Sequence, residues 1–100
     1  SYRLGGLTLS TRTRTVTVLE TQLTLTGTEF EILRCLIQSP GEVVSKERLC
    51  EIALGRRLLP YDRSIDTHIS NLRGKLDKAG KHDTVIRNQR GVGYSLHPQS

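Results

Sequence analysis

The second half of the chain contains the apolar spacing of one long amphipathic helix. Within residues 62–80 the apolar positions are Ile65, Ile69, Leu72 and Leu76. They recur at i, i+4, i+7 and i+11, which places them on one face of a helix at about 100° per residue. Asp62 is suited to cap the start and Gly80 the end. The pattern predicts a helix from about Arg63 to Ala79, buried along one stripe.

The opposite face of this predicted helix is polar. Its members are Arg63, Thr67, Ser70, Asn71 and Lys78, with Asp66 and Arg73 on the flanks. Short side chains with donors and acceptors are what a helix needs to contact base edges in a major groove. The alternative is the solvated face of an ordinary core helix, and this stretch alone does not separate the two.

Residues 2–25 contain four short stretches in which apolar and polar residues alternate. These are residues 2–4, 7–9, 15–18 and 21–25. Period-2 alternation rich in Thr and Val predicts small antiparallel strands with one buried face. Such a sheet needs a helical layer to cover it.

Two shorter helices are predicted between this sheet and the long helix. Thr26 and Glu29 fit a capping box and open a helix that ends at the Ser-Pro-Gly of residues 39–41. Ser45 caps a second helix over residues 46–54, which a glycine stops. The loop that follows, GRRLLPY, carries two arginines beside two leucines, which indicates either a partner contact or a plug over the core.

The C-terminal part predicts a hairpin with an arginine at its tip. Residues 84–87 and 94–97 are predicted strands, joined by a glycine-bearing turn over residues 88–93 that contains Arg90. Together with the preceding helices this gives a helix-turn-helix plus wing. A helix fits the major groove, and a narrow minor groove attracts an arginine at a hairpin tip.

Composition favours a polyanion as partner and gives little support to catalysis. The formal net charge is +5 and the pI is near 9.7, which points to nucleic acid or an anionic surface, although many small basic domains bind neither. The histidines His68, His82 and His97 lack metal-ligand spacing, and no glycine-rich phosphate loop follows a strand. We therefore expect no catalytic residue, no metal and no cofactor.

The two cysteines and the chain length fit one small domain. Cys35 and Cys50 lie in predicted helices and are expected to be free thiols of a cytoplasmic protein, packed as small apolar side chains. No apolar run approaches membrane-spanning length. Residues 1–100 are expected to form a single domain, and its abrupt start suggests a fragment of a longer protein.

Four sequence motifs occur in a characteristic order. They are LTGTEF (25–30), VSKERL (44–49), DRSIDTHISNLR (62–73) and RGVGY (90–94). In this order and with these gaps, nearly the whole chain resembles the OmpR/PhoB-type winged-helix effector domain of bacterial two-component response regulators. The runs LLPYDR (58–63) and ISNLR (69–73) look most similar to Cpx-type envelope-stress regulators. The resemblance implies an α+β fold, a winged helix-turn-helix with an N-terminal four-stranded antiparallel sheet, three helices and a C-terminal β-hairpin wing.

The resemblance also implies roles for individual residues. Positions that match base-facing residues are Ser64, Asp66, Thr67 and Asn71. Positions that match phosphate contacts are Arg63, His68, Arg73 and Tyr94, and Arg90 matches the minor-groove arginine of the wing. Loop positions that match a segment contacting RNA polymerase are Arg56, Arg57, Leu58 and Leu59. From its place in the helix alone, His68 is equally explained as a partly buried polar residue without a site role.

Partners follow from the same resemblance. It implies double-stranded DNA, bound as tandem half-sites by a dimer, and RNA polymerase. It also implies a sensor kinase that phosphorylates an N-terminal receiver domain, which this chain lacks. The sequence therefore predicts a sequence-specific DNA-binding domain of a transcription regulator, and not an enzyme.

Three departures from the family pattern modify these expectations. Ser70 and Asn71 stand where many relatives carry arginines, so Asn71 is suited to adenine instead of guanine. Gly74 replaces a basic residue and costs the helix up to about 1 kcal/mol relative to alanine. Asn88 and Gln89 replace the common Thr-Val before the wing, which weakens the expectation of a phosphate contact there.

Two alternatives of other kinds remain at this point. A protein-interaction module would use the loop of residues 55–61 without DNA readout of its own. An RNA-binding module would need exposed aromatic side chains for stacking, and three Tyr and one Phe supply few.

Overall fold

The computed structural model describes residues 1–79 and 84–98. The elements in chain order are β1 (Tyr2–Leu4), β2 (Leu7–Ser10), β3 (Thr15–Val18), β4 (Thr21–Leu23), α1 (Gly27–Gln38), β5 (Val44–Ser45), α2 (Lys46–Leu54), α3 (Ser64–Lys78), β6 (Thr84–Gln89) and β7 (Gly93–Pro98). In this part of the chain three helices lie between a four-stranded antiparallel sheet and a C-terminal hairpin. The predicted winged helix-turn-helix is confirmed.

The N-terminal sheet is an antiparallel meander in chain order, β1-β2-β3-β4. Its register pairs Leu7 with Val18 and Leu9 with Val16, so the four aliphatic side chains share one face. All four are buried in the same core cluster as the apolar residues of α1. β4 ends at Leu23, two residues earlier than predicted.

The start of α1 is tied to α3 through a buried carboxylate. The capping box is present, because Thr26 Oγ1 accepts from the Glu29 amide at 3.2 Å and Glu29 Oε1 accepts from the Thr26 amide at 2.9 Å. Glu29 is only 2% exposed, and its Oε1 also accepts from Lys75 Nζ of α3 at 2.6 Å. The cation of Lys75 therefore offsets the cost of burying this charge.

The predicted stripe of α3 is fully confirmed, and the helix starts one residue later than predicted. Ile65, Ile69, Leu72 and Leu76 are all buried. The helix begins at Ser64 and its N-cap residue Arg63 makes no side-chain cap. Asp62 instead accepts from the Ser64 amide at 3.0 Å, so it caps from one position farther upstream than expected. Gly80, predicted to end the helix, lies outside the described residues.

The wing is a three-stranded sheet in the order β5-β7-β6. β5 was not predicted, since two residues are too short to show a period, and it pairs Val44 with Tyr94 and Ser45 with Gly93. The hairpin strands are longer than expected, and the turn shrinks to residues 90–92. A β-carbon on Gly93 would collide with the Val44 carbonyl oxygen, which explains why glycine suits this close approach.

Replacing Gly74 with alanine is expected to stabilise the domain by about 1 kcal/mol. Gly74 lies inside α3 at an exposed position, and an added β-carbon would meet nothing within 4 Å. The protein gains stability because alanine loses less conformational entropy than glycine when it becomes part of a helix. Urea unfolding at neutral pH would show it as a higher midpoint with an unchanged slope. Gly93→Ala is the matched control and should lower the midpoint, while a neutral or destabilising Gly74→Ala would contradict the argument.

Candidate nucleic-acid interface

The outer face of α3 is exposed as the spacing of its buried stripe requires. This face is defined by Arg63, Thr67, Ser70, Asn71, Gly74 and Lys78, all of them exposed. Ser64 and Asn71 are seven residues apart, which is about 10 Å along the helix axis. Two turns of helix with short polar side chains are thus available to a groove.

The side chains of this face differ in how far the protein already uses them. Arg63 and Asn71 make no side-chain hydrogen bond or ion pair with the residues that the structure describes. The Thr67 hydroxyl donates to the Arg63 carbonyl at 3.0 Å, and Ser64 Oγ accepts from Arg56 Nη2 at 3.1 Å. Asn71 therefore keeps its complete set of amide donors and acceptors, and each hydroxyl keeps part of its capacity.

Asp66, one of the predicted base-facing residues, is bound by side chains of two other elements of the domain. Its carboxylate lies 3.1 Å from Lys46 Nζ of α2 and accepts a hydrogen bond from the Tyr94 hydroxyl of β7. Tyr94 is only 3% exposed. Asp66, predicted to face a base, and Tyr94, predicted to contact a phosphate, thus already bind each other within the domain.

The hydrogen bond between Asp66 and Tyr94 moves the pKa values of both groups farther from neutrality. Burial works against ionisation of Asp66, but the hydrogen bonds from Tyr94 and Lys46 outweigh burial and lower the Asp66 pKa. Burial, with the hydrogen bond to Asp66 adding to it, raises the pKa of Tyr94 to about 12. The carboxylate is thus an ionised acceptor and the phenol a protonated donor.

Two other predicted phosphate contacts, Arg73 and His68, lie between the buried stripe and the exposed face of α3. Arg73 Nη2 donates to the Ile86 carbonyl of β6 at 2.7 Å, and its guanidinium carbon lies 5.6 Å from the Tyr94 ring centroid. One of its five N–H donors is thereby used inside the protein. His68 is half-buried beside the core stripe, as expected for a residue at the edge between core and surface.

The wing carries an arginine exposed to solvent in its turn. Arg90 is exposed, Gly91 follows it with φ +78°, and Val92 is 54% exposed. Arg87, on the outer side of β6, is exposed as well and was not singled out from the sequence. Burial alternates along Thr84, Val85 and Ile86, which places Arg87 on the outer side of the strand.

The loop of residues 55–61 contains one leucine packed against the core and one exposed to solvent. Leu58 packs against the core as a plug, whereas Leu59 is 60% exposed. Arg56 is held by Asp62 at 2.7 Å, and the hydrogen bonds from Arg56 and Ser64 lower the pKa of Asp62. Tyr61 is fully exposed with φ +60°. Arg57, Leu59 and Tyr61 are therefore among the exposed side chains of this loop.

Other kinds of site find no support in the described ranges. Cys35 and Cys50 are free and buried, as predicted, and burial raises the pKa of the Cys35 thiol. Among residues 1–79 and 84–98, no three His, Cys, Asp or Glu side chains are grouped to hold a metal ion. None of the helices described is long and apolar enough to cross a bilayer. His82, one of the residues considered for metal binding, lies outside these ranges.

Comparison with protein families decides what this architecture is. Residues 20–96 match the family model described as "Transcriptional regulatory protein, C terminal". The chain belongs to this family. It is a family of transcription regulators and not of enzymes, and the predicted OmpR/PhoB-type resemblance is confirmed.

Members of the family with curated names or solved structures are similar to this chain over most of its length. It is 51% identical over 74 residues to the transcriptional regulatory protein CpxR of Klebsiella pneumoniae, covering 74% of this chain and 32% of that protein. The crystal structure of the DNA-binding domain of CpxR from E. coli superposes with a TM-score of 0.85 at 38% identity, covering 98% of this chain and 96% of that one. The chain thus spans about a third of the length of such CpxR relatives.

A second solved structure of the family is a complex with an intercistronic region. The DNA-binding domain of the response regulator AdeR, in complex with an intercistronic region, has a TM-score of 0.85 at 31% identity, covering 96% of this chain and 98% of that one. Similarity to CpxR agrees with the Cpx-type resemblance of the two short runs around α3.

Proposed function

We propose that this domain binds double-stranded DNA sequence-specifically, as the effector domain of a response regulator that controls transcription. The observation that carries the proposal is the outer face of α3, two exposed turns of short polar side chains flanked by a wing with an exposed arginine. α3 enters the major groove, and Arg90 reaches the adjacent minor groove. Similarity to DNA-binding domains of response regulators supports this assignment.

Base contacts and backbone contacts are made by different residues. Ser64, Thr67 and Asn71 face the bases. Asn71 pairs with adenine through the N–H donor and the carbonyl acceptor of its side-chain amide. Arg63, Arg73 and His68 contact phosphates, which fix the register without reading sequence. Asp66 and Tyr94 hold the site together instead of contacting DNA.

A gel shift at two salt concentrations tests the proposal. We expect the 100-residue chain to bind duplex DNA more tightly than single strands, and to weaken steeply as salt rises because bound phosphates release counterions. Selection from random duplexes should then return one preferred sequence, repeated in tandem if the protein acts as a dimer on half-sites. Equal binding to all nucleic acids, or none, would contradict the proposal.

Replacing Arg63 with alanine is expected to weaken binding to every duplex alike. Arg63 is exposed and makes no ion pair with the described residues, so its guanidinium is available to a phosphate. Loss of one such contact lowers the slope of log affinity against log salt by about 0.9. Filter binding over a salt series measures this slope for the preferred and an unrelated duplex.

Arg12→Ala is the matched control for the loss of one positive charge. Arg12 is exposed in the turn between β2 and β3 of the N-terminal sheet, away from the outer face of α3. Its replacement should leave the slope unchanged. An unchanged slope in Arg63→Ala, or an equal decrease in both variants, would exclude a specific phosphate contact by Arg63.

RNA polymerase, a sensor kinase and a second copy of the protein are the other partners that we propose. The loop residues Arg57, Leu59 and Tyr61 contact RNA polymerase, and a receiver domain phosphorylated by a sensor kinase drives dimer formation on DNA. Exposure of Leu59 and Tyr61 is also what a protein-interaction module without DNA readout would show. Such a module would give no salt-dependent duplex binding, so the gel shift separates the two.

A further inference from the structure

The base of the wing is joined to both helices of the helix-turn-helix at one carboxylate. Asp66 of α3 lies 3.1 Å from Lys46 Nζ of α2 and accepts the hydrogen bond of the Tyr94 hydroxyl of β7. Three elements distant in sequence therefore meet at one side chain. Each of the polar groups is partly or fully withdrawn from water, where such bonds are stronger than on the surface.

The Tyr94 ring is fixed by further contacts. Arg73 lies 5.6 Å and Lys46 Nζ 5.9 Å from its centroid, both within the range of cation–π attraction. Arg73 also donates to the Ile86 carbonyl of β6, and the Lys46 amide donates to the Val92 carbonyl in the wing turn at 3.1 Å. The hairpin is thus held from both of its strands and from its turn.

Because of its place in the hairpin, Tyr94 influences the position of the wing tip. Tyr94 pairs with Asn88 across the hairpin, and Arg90 lies two residues beyond Asn88, about 7 Å farther out. A small rotation of the hairpin at Tyr94 therefore displaces the Arg90 guanidinium from the position at which it meets the minor groove.

We infer that Asp66 and Tyr94 are positioning residues that set the angle between wing and α3, so that Arg90 and the outer face of α3 engage one duplex together. The inference rests on the proposed DNA-binding function and deepens it. It also gives Asp66 a role without base contact, and Tyr94 a role without phosphate contact.

A thermodynamic cycle between Tyr94→Phe and Arg90→Ala tests this role. Tyr94→Phe keeps the ring and removes only the hydroxyl that Asp66 binds. We expect it to weaken binding to the preferred duplex by about two- to tenfold when Arg90 is present, and to have no further effect in the Arg90→Ala background. Asp66→Asn should behave in the same way. Affinities are measured on the 100-residue chain at one salt concentration, at a temperature where every variant is folded.

The alternatives predict different patterns in this cycle. A direct phosphate contact by Tyr94 would make the losses of the two variants multiply, and a base contact by Asp66 would change which sequence Asp66→Asn prefers. A purely structural role would lower the unfolding midpoint of Tyr94→Phe without changing the affinity of the folded protein. Each of these three results would overturn the inference.

A readout without DNA separates this inference from the proposed function. Residual dipolar couplings of the backbone amides report the orientation of β6 and β7 relative to α3. We expect Tyr94→Phe to change that orientation and Tyr61→Phe, at a fully exposed tyrosine, to leave it unchanged. An unchanged hairpin in Tyr94→Phe would overturn the inference, whereas failure of the wild-type chain to bind any duplex would overturn the proposed function on which it rests.

Discussion

Replacing Asn71 with alanine is expected to weaken binding to the preferred duplex by about 1–3 kcal/mol, or about 5- to 150-fold. The same change should leave binding to unrelated duplexes nearly unaltered. The reason is that a carboxamide pairs with the N6 and N7 edge of adenine through one donor and one acceptor, a pattern that only one base pair presents in the major groove.

The surroundings of Asn71 favour this role over that of a solvated surface residue. Asn71 lies at the centre of the outer face of α3, is exposed, and makes no side-chain hydrogen bond with the described residues. Gly74 follows one turn later and adds no side chain, so a base can approach the helix closely there. An open depression of about 390 Å³, lined in part by Asn71, Gly74 and Lys75, lies between this stretch and the start of α1.

Affinity for two duplexes of equal length and composition measures the effect of Asn71→Ala. Gln38→Ala is the matched control, because Gln38 carries an exposed carboxamide at the end of α1, away from the outer face of α3. It should change neither affinity. An equal loss on both duplexes in Asn71→Ala would show that the residue contributes to backbone binding and does not read bases.

Much of the fold was predictable because its signals are local. The stripe of α3 follows from four aliphatic residues at helical spacing, and the capping box of α1 needs only Thr26 and Glu29 at a separation of three. The glycine after α2 was expected to stop that helix, and Gly55 does adopt the left-handed conformation there. In each case the residues that determine the structure lie within one or two turns of each other.

What escaped prediction depends on residues far apart in the chain. β5 exists because Val44 and Ser45 pair with β7, about fifty residues later, and two residues show no period of their own. The same holds for the site. The family resemblance implied a base-facing role for Asp66, and only the fold brings Lys46 and Tyr94 to its carboxylate. The periodicity of one helix predicts on which face a side chain lies, but it does not predict which residues of other elements will contact that side chain.

Replacing Lys75 with alanine is expected to be the most destabilising change among the charged residues of α3, at about 2–3 kcal/mol near neutral pH. The change leaves Glu29, 2% exposed, as a buried carboxylate without its cation. Breaking a fully buried pair costs roughly 3–5 kcal/mol. A lower value is expected here because 36% of the Lys75 side chain is exposed and the Thr26 amide still donates to Glu29.

The pH dependence distinguishes the ion pair from mere loss of packing. Burial raises the pKa of Glu29, but the hydrogen bond from Lys75 and those from Thr26 outweigh it, so the pKa lies below its usual value of 4.5. Ionised Glu29 thus stabilises the fold above about pH 4.5, and this contribution is lost as the pH falls through the lowered pKa. The difference between wild type and Lys75→Ala should accordingly shrink as the solution is acidified below pH 4.5, since the variant no longer buries a charge once Glu29 is protonated.

Urea unfolding at neutral pH and at several acidic values measures this difference. Lys78→Ala is the matched control, since Lys78 lies three residues later on the same helix, is exposed, and makes no ion pair within the described ranges. It should change the free energy of unfolding by less than about 0.5 kcal/mol. In a Glu29→Gln background, Lys75→Ala should cost little, because no charge remains to be neutralised. A loss in Lys75→Ala that is independent of pH, or that persists in the Glu29→Gln background, would mean that Lys75 stabilises α3 through its methylene stem and not through the buried carboxylate.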